Sequence, residues 1–318
     1  GQPAAKRALE IAAAGGHHLL LVGPPGAGKT MLARRLPGIL PRPRPAQALA
    51  IATIASAAGL GDALVGPIRR PFRAPHHTAS AAALVGGGDP VRPGEVTLAH
   101  GGVLFLDELP EFSRPAIEAF RTIMESGRAV VCRARERVEM PAAPLVVAAM
   151  NPCPCGFDGD PTRLCACTPA RIEAYRGRVS GPILDRFDLH VALPPVSLRR
   201  LDGGAAGERS ADVRARVERA RTALAAGAPP SARPVGRLLE ALPPESRQLM
   251  VDGAEAMGLS VRGVVRAARV AHTVAALAAS ETVAPEHVAE ALAYRLLDRR
   301  DESKATTLDD RASIHSGG

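Results

Sequence analysis

The 318-residue chain has no tryptophan, and its two tyrosines and six phenylalanines bring aromatics to only 3%. Its core must therefore be built from alanine, valine, leucine and isoleucine. No apolar run approaches the roughly 20 residues that a membrane-spanning helix requires, so no membrane partner is expected. The first residues lack the basic–apolar–small pattern of a secretory leader, which points to a cytoplasmic location. The chain opens at Gly1 instead of methionine, already inside a helical pattern, so a piece of a longer protein is expected. Lysine is also scarce. Lys6, Lys29 and Lys304 are the only lysines among 40 basic residues. Against 32 acidic residues the balance is +8, which favours an anionic partner, either nucleic acid or a nucleotide. Arginine in place of lysine, with abundant alanine and glycine, equally reads as the codon choice of a GC-rich genome, so charge alone decides little.

What is present is more specific. The apolar run Leu19-Leu20-Leu21-Val22 leads into Gly23-Pro24-Pro25-Gly26-Ala27-Gly28-Lys29-Thr30. Every fixed position of the phosphate-binding loop G-x-x-x-x-G-K-[ST] is filled, with a strand before it and a helix after it. The glycines allow successive backbone N–H groups to face a polyphosphate. Lys29 supplies a point charge to the β/γ-phosphates, and Thr30 offers a hydroxyl to Mg²⁺. This pattern predicts a nucleoside triphosphate with Mg²⁺ as the bound cofactor.

A second run, Val103-Leu104-Phe105-Leu106-Asp107-Glu108, is an apolar strand ending in paired carboxylates. A strand buried on both faces belongs in a parallel sheet covered by helices. Its acids then emerge at the carboxyl end, where open α/β sheets bind ligands. Asp107 is the candidate Mg²⁺ ligand and Glu108 the group that polarises an attacking water. The plainer alternative is a buried strand followed by an acidic helix cap.

Along the chain, residues 1–20 read as a helix, with Ala4, Ala8, Leu9 and Ala12 on one face, running into the first strand. The Pro37 to Pro45 stretch is expected to end the helix after the phosphate loop. A helix near 47–58 precedes a Gly/Pro/His-rich section, and the 60–100 interval reads as an inserted functional element. Residues 115–126 read as a helix presenting Ile117, Phe120, Ile123 and Met124, and residues 129–140 as a β-hairpin. Leu145 to Met150 form a further buried strand ending at Asn151. The expected organisation is an α/β domain over 1–195 and a helical lid over 212–300. Each has length enough for its own core, a Gly/Ala-rich linker at 202–207 lies between them, and a disordered tail is expected at 301–318.

With these motifs in order, the chain resembles the AAA+ ATPases, within them the magnesium-chelatase-like branch, and within that the ComM/YifB family. The resemblance rests on Gly15 to Gly26, on Pro71-Phe72-Arg73-Ala74-Pro75-His76-His77 and on the run from Pro93 to Glu108. Ala148-Ala149-Met150-Asn151-Pro152 and the run from Ser180 to Asp188 complete it, over about 1–300. It implies an αβα sandwich with a parallel sheet followed by a smaller all-α lid. An N-terminal domain resembling the Lon protease fold, found in such family members, is missing here, which fits a truncated piece.

The resemblance also implies roles. Asn151 fits the sensor that orients the lytic water, with turn capping as the alternative. Arg186 matches the arginine finger that one subunit offers to the next subunit's γ-phosphate, with a salt bridge to Asp185 or Asp188 as the alternative. Arg262 fits the sensor-2 arginine, with an ordinary surface position as the alternative. A finger acting across subunits implies a homo-oligomer, and the looked-for ring is a hexamer.

Two features lie outside the nucleotide motifs. Arg133, Arg135 and Arg137 share one face of the candidate hairpin by period two. By resemblance this hairpin points into a central pore, where a basic ring would meet a DNA backbone. A solvated face partly neutralised by Glu136 and Glu139 is the alternative. No aromatic platform accompanies these arginines, so base reading is not expected. Cys153, Cys155, Cys165 and Cys167 suit a structural Zn²⁺, with unmetallated thiols or disulfides as alternatives, the latter disfavoured in a reducing compartment. Cys132 stands alone. His76-His77 suits a structural or pore-loop role better than a metal.

The resulting expectation is an Mg-ATP-driven motor acting on DNA as a helicase or branch-migration enzyme in transformation and recombination. A chelatase-type motor driving metal insertion into a tetrapyrrole, or a non-catalytic ATP-binding scaffold, are the other readings.

Overall fold

The computed structural model of the chain describes residues 2–61, 66–132, 137–196, 207–226 and 235–295. Helix α1 (Pro3–Gly15) leads into strand β1 (Leu19–Val22), followed by α2 (Lys29–Ile39) and α3 (Pro45–Ala57). Next come β2 (Phe72–Arg73), α4 (Ala81–Val85), the two-residue strands β3 (Gly86–Gly87) and β4 (Arg92–Pro93), and α5 (Glu95–Leu98). Strand β5 (Val103–Leu106) precedes α6 (Arg114–Ser126), the hairpin strands β6 (Arg128–Cys132) and β7 (Arg137–Pro141), and β8 (Leu145–Met150). Helices α7 (Pro169–Arg176) and α8 (Gly181–Leu184) lead to β9 (Leu189–Ala192). The C-terminal part is helical: α9 (Ser210–Ala226), α10 (Val235–Glu240), α11 (Pro244–Ala256), α12 (Val261–Leu277) and α13 (Pro285–Ala293).

Five strands form one sheet in the order β2-β5-β8-β1-β9, and every pairing is parallel. Because strand side chains alternate, one set enters each face. Leu19, Leu21, Phe105, Val147 and Ala149 pack with α1 and α2. Leu20, Leu104, Leu106, Val146 and Ala148 pack with α6 on the other side. Two hydrophobic faces explain why these strands read as continuous apolar runs. The architecture is the expected α/β sandwich followed by an all-helical region.

The helical region does not build a separate core. Ala267, Ala271, Val274, Val288 and Leu292 belong to the same cluster as α1 and the sheet. Alanine makes this possible, because small side chains let α1 sit close to the sheet on one side and to α9 and α12 on the other. Polar contacts close the seam. Buried Arg295 donates to the Phe187 carbonyl at 2.6 Å, and Arg266 to Asp188 Oδ1 at 2.6 Å.

Several local expectations change. Ala4 is exposed and Ala5 takes its place in the core. Helix α2 passes through Pro37 and ends at Ile39, within the Pro37 to Pro45 stretch expected to end it. The 60–100 interval is woven into the domain: Phe72–Arg73 is an edge strand paired with β5, and Leu84 and Val96 are fully buried. The hairpin forms, with Cys132 opposite Arg137. Arg133, Arg135, most of the 202–207 stretch and the 301–318 tail lie outside the described residues.

Candidate nucleotide-binding site

The central strands β5, β8 and β1 end side by side, so whatever follows each of them meets at one edge of the sheet. After β1 comes the phosphate loop. Gly23 donates its N–H to the Met150 carbonyl at 3.2 Å, and a Cβ there would lie 2.7 Å from the Leu193 carbonyl oxygen. Gly26 and Gly28 take φ of 78° and 88°, a region nearly closed to other residues. The loop, Gly23-Pro24-Pro25-Gly26-Ala27-Gly28, thus curls into the N-terminus of α2, whose free N–H groups and dipole favour an anion.

Lys29 opens that helix and is buried. Its ammonium donates to the Gly23 carbonyl at 2.6 Å, the Pro24 carbonyl at 3.0 Å and Asn151 Oδ1 at 3.0 Å. Burial pushes the Lys29 pKa below its ordinary value, with Asp107 and Glu108 opposing that shift. Thr30 Oγ1 donates to Asp107 Oδ2 at 2.8 Å, and Asp107 Oδ1 accepts the Glu108 N–H at 3.0 Å. Lys29, Thr30, Asp107, Glu108 and Asn151 therefore come together from three separate segments. A cationic side chain, an anion-binding helix start and adjacent hydroxyl and carboxylate oxygens are the donor set that an Mg²⁺–triphosphate needs.

Glu108 has left-handed backbone geometry, φ 53° and ψ 47°, a conformation that costs a non-glycine residue about 1 kcal/mol or more. Its side chain is half exposed, and Oε2 lies 3.2 Å from His77 Nδ1. His77 stacks on His76 at 4.2 Å between ring centres and meets the Phe112 ring edge-on at 6.5 Å.

Arg186 sits elsewhere. It is buried, donating to Glu125 of α6 and to the Pro182 carbonyl. Neither Asp185 nor Asp188 is its partner, because Asp188 already accepts from the His18 N–H and from Arg266. Arg262, exposed in the first turn of α12, lines the same cleft of about 270 Å³ as Arg186, Arg266 and Arg269. None of the phosphate-loop residues lines that cleft.

The four loop cysteines converge. The sulfurs of Cys153, Cys155, Cys165 and Cys167 all lie within 4.8 Å of one another. Cys153, Cys155 and Cys165 stand 3.3, 3.5 and 3.6 Å apart pairwise, and all five cysteines of the chain are free thiols. Tetrahedral thiolates around one Zn²⁺ are separated by about 3.8 Å, so the tetrad fits that ion. Backbone N–H groups add to the fit: Asp158 donates to Cys153 Sγ at 3.3 Å and Cys167 to Cys165 Sγ at 3.4 Å. The Phe157 N–H holds the Cys155 thiol down at about 6, while burial and the neighbouring cysteines push Cys165 up to about 12 and raise Cys167 as well.

Residues 1–201 match the family model "Magnesium chelatase, subunit ChlI", and residues 207–295 match its C-terminal counterpart. The chain belongs to the magnesium-chelatase-like branch of the AAA+ family. It is 43% identical over 306 residues to "Uncharacterized protein YifB" of Salmonella typhimurium, covering 94% of this chain and 60% of that protein. It is also 43% identical over 306 residues to "Competence protein ComM" of Haemophilus influenzae, covering 94% and 59%. To "Uncharacterized protein Rv2897c" of Mycobacterium tuberculosis it is 45% identical over 312 residues, covering 93% and 60%. The chain thus spans about 60% of the length of these relatives. Among the described residues, no helix is long and apolar enough to cross a membrane.

Seen as an AAA+ site, the geometry adds residues that sequence reasoning left aside. His77, for which the sequence suits a structural or pore-loop role, lies against Glu108. Glu125, which no sequence motif singles out, accepts from Arg186. No local spacing signals either contact, because both join segments far apart in the chain.

Proposed function

We propose that this chain is the Mg-ATP-hydrolysing core of a homo-oligomeric ring, a hexamer, that moves DNA as a helicase or branch-migration motor. The observation that carries the proposal is the convergence of Lys29, Thr30, Asp107, Glu108 and Asn151 at the ends of three adjacent strands. In this reading Lys29 and the loop from Gly23 to Gly28 hold the phosphates, while Thr30 and Asp107 hold Mg²⁺, which neutralises charge developing on the phosphoryl oxygens. Glu108 takes the proton of the attacking water, and Asn151 orients that water. Arg186 and Arg262 share a cleft away from the chain's own phosphate loop, which suits their serving the nucleotide of an adjacent copy. The reading divides the chain into a nucleotide domain, 1–195, and a helical lid, 212–300, in a cytoplasmic protein.

DNA enters the proposal through the similarity to the competence protein and through the hairpin of β6 and β7, whose arm carries exposed Arg137 next to the sequence positions of Arg133 and Arg135. Zn²⁺ at the cysteine tetrad belongs to the same reading as a structural ion. The family description favours one further reading, a chelatase-type motor that drives metal insertion into a tetrapyrrole and contacts a partner enzyme. The deciding experiment is the ATPase rate without nucleic acid and with single-stranded, duplex and forked DNA. Stimulation by DNA supports the motor on DNA. Turnover indifferent to every DNA, together with rescue of a chelatase lacking its motor, supports the alternative.

A further inference from the structure

The cysteine tetrad is physically built into the phosphate loop. Asn151, whose side chain touches Lys29, is followed two residues later by Cys153, the buried member of the tetrad. Within the tetrad's own turn, Gly156 accepts φ of 87° and rests directly against Pro25 of the phosphate loop. A Cβ at that position would stand 2.5 Å from Pro25 Cδ, 2.9 Å from Pro25 Cγ and 3.9 Å from Asn151 Cγ. The turn is thus shaped so that its backbone props the loop that would hold the phosphates.

The remaining contacts keep that turn in place. Arg176, the last residue of α7, donates from Nε to the Pro152 carbonyl at 3.0 Å and from Nη2 to Asp158 Oδ2 at 2.7 Å. Gly156 donates its N–H to the Cys153 carbonyl at 3.0 Å. Even so, Arg176 is exposed and this ion pair lies at the surface, where such pairs contribute little. Without a bound ion, the thiols of Cys153, Cys155 and Cys165, 3.3–3.6 Å apart, offer only weak mutual hydrogen bonds. An ion that joins positions 153, 155, 165 and 167 closes both ends of the loop and fixes Gly156 against Pro25.

We propose that the cysteine tetrad is a Zn²⁺ clasp that sets the affinity of the phosphate loop for nucleotide, through Gly156 on Pro25 and through Asn151 on Lys29. This deepens the nucleotide reading above and rests on it. Because coupling between two sites is reciprocal, bound nucleotide also tightens the tetrad's hold on zinc.

The test uses the full chain, purified without chelator, with zinc counted by elemental analysis and a fluorescent ATP analogue titrated by anisotropy. Three samples are compared: the loaded protein, the same protein stripped of metal, and Gly156→Ala with its four thiols intact. The expected result is about one zinc per chain in the loaded protein and in Gly156→Ala. Both the stripped protein and Gly156→Ala should bind the analogue at least tenfold more weakly, and added Zn²⁺ should restore the stripped protein but not Gly156→Ala. A chromogenic chelator should also extract zinc at a lower concentration when nucleotide is absent. Circular dichroism separates weakened binding from loss of the fold. Equal affinity in all three samples, or no zinc in the loaded protein, overturns the clasp. If the loaded protein binds no nucleotide at all, the nucleotide reading itself falls, a result distinct from tight binding that ignores zinc.

Discussion

His77 Nδ1 lies 3.2 Å from Oε2 of Glu108, so an imidazole engages the carboxylate assigned to activate water. The contact joins the segment after edge strand β2 to the end of β5, at a Glu108 whose backbone is left-handed. In the proposed ATPase this contact would hold the Glu108 side chain toward His77 and away from an attacking water, so the pair would restrain turnover. His77→Ala should raise the basal ATPase rate severalfold and leave the affinity for nucleotide unchanged. Steady-state kcat and an equilibrium Kd for ATP check both halves. An unchanged kcat would remove the restraint.

Glu108→Gln removes the base and keeps the shape of the side chain. Loss of a positioned base costs on the order of 10²–10⁴ in rate. ATP should bind as before, because Lys29, Thr30 and Asp107 stay in place. Turnover that persists in this variant would show that Glu108 is not the group that activates water.

How much of this could be read from the sequence follows from the range of the interactions. The phosphate loop and the acidic strand are local, since fixed spacing and an unbroken apolar run identify them and the structure places them together. Strand β2 escapes detection because two residues are too few to show a period, and its role comes from pairing with β5. The end of α2 is local too, since it falls at Ile39 inside the Pro37 to Pro45 stretch. The partners of Arg186, Glu108 and Pro25 are set by chain segments brought together only on folding. Sequence reasoning therefore offers neighbouring Asp185 and Asp188 to Arg186, where the fold supplies Glu125.

Acid stability offers a test of the seam beneath the site. Burial pushes His18 down to about 4 and His190 down to about 3. In the unfolded chain both take up a proton near pH ~6.5. Below that pH the unfolded state binds more protons than the folded one, so stability falls as pH falls. The loss should run from about pH 6.5 down to about 4 for His18 and further for His190, at roughly 1.4 kcal/mol per pH unit for each group. The Asp188 carboxyl is held below its usual range against the desolvation of its site, by His17 and Arg266. It adds a further loss at still lower pH. Thermal melts at pH 7.5, 6 and 5 should show a steadily falling midpoint, while replacement of His190 by glutamine should flatten the trend.

Replacing Arg133, Arg135 and Arg137 together by alanine should weaken DNA binding across all sequences and make its salt dependence shallower, since fewer counterions are released. ATP binding should stay intact. Fluorescence titrations of labelled forked DNA at two salt concentrations give the slope directly. A slope equal to that of the unaltered chain would place the DNA contact elsewhere.

The central claim is that the triphosphate held by one chain is cleaved with an arginine from the next. The most direct measurement mixes two inactive variants, Glu108→Gln and Arg186→Ala, co-assembled from a denatured or co-expressed pool. Each alone lacks one half of every site, and loss of such an arginine costs about 10³–10⁵ in rate. In the mixture, an Arg186→Ala chain beside a Glu108→Gln chain regains both halves at one interface, so ATPase activity should rise well above that of either variant. A mixture no more active than its components, with assembly demonstrated, would contradict the account.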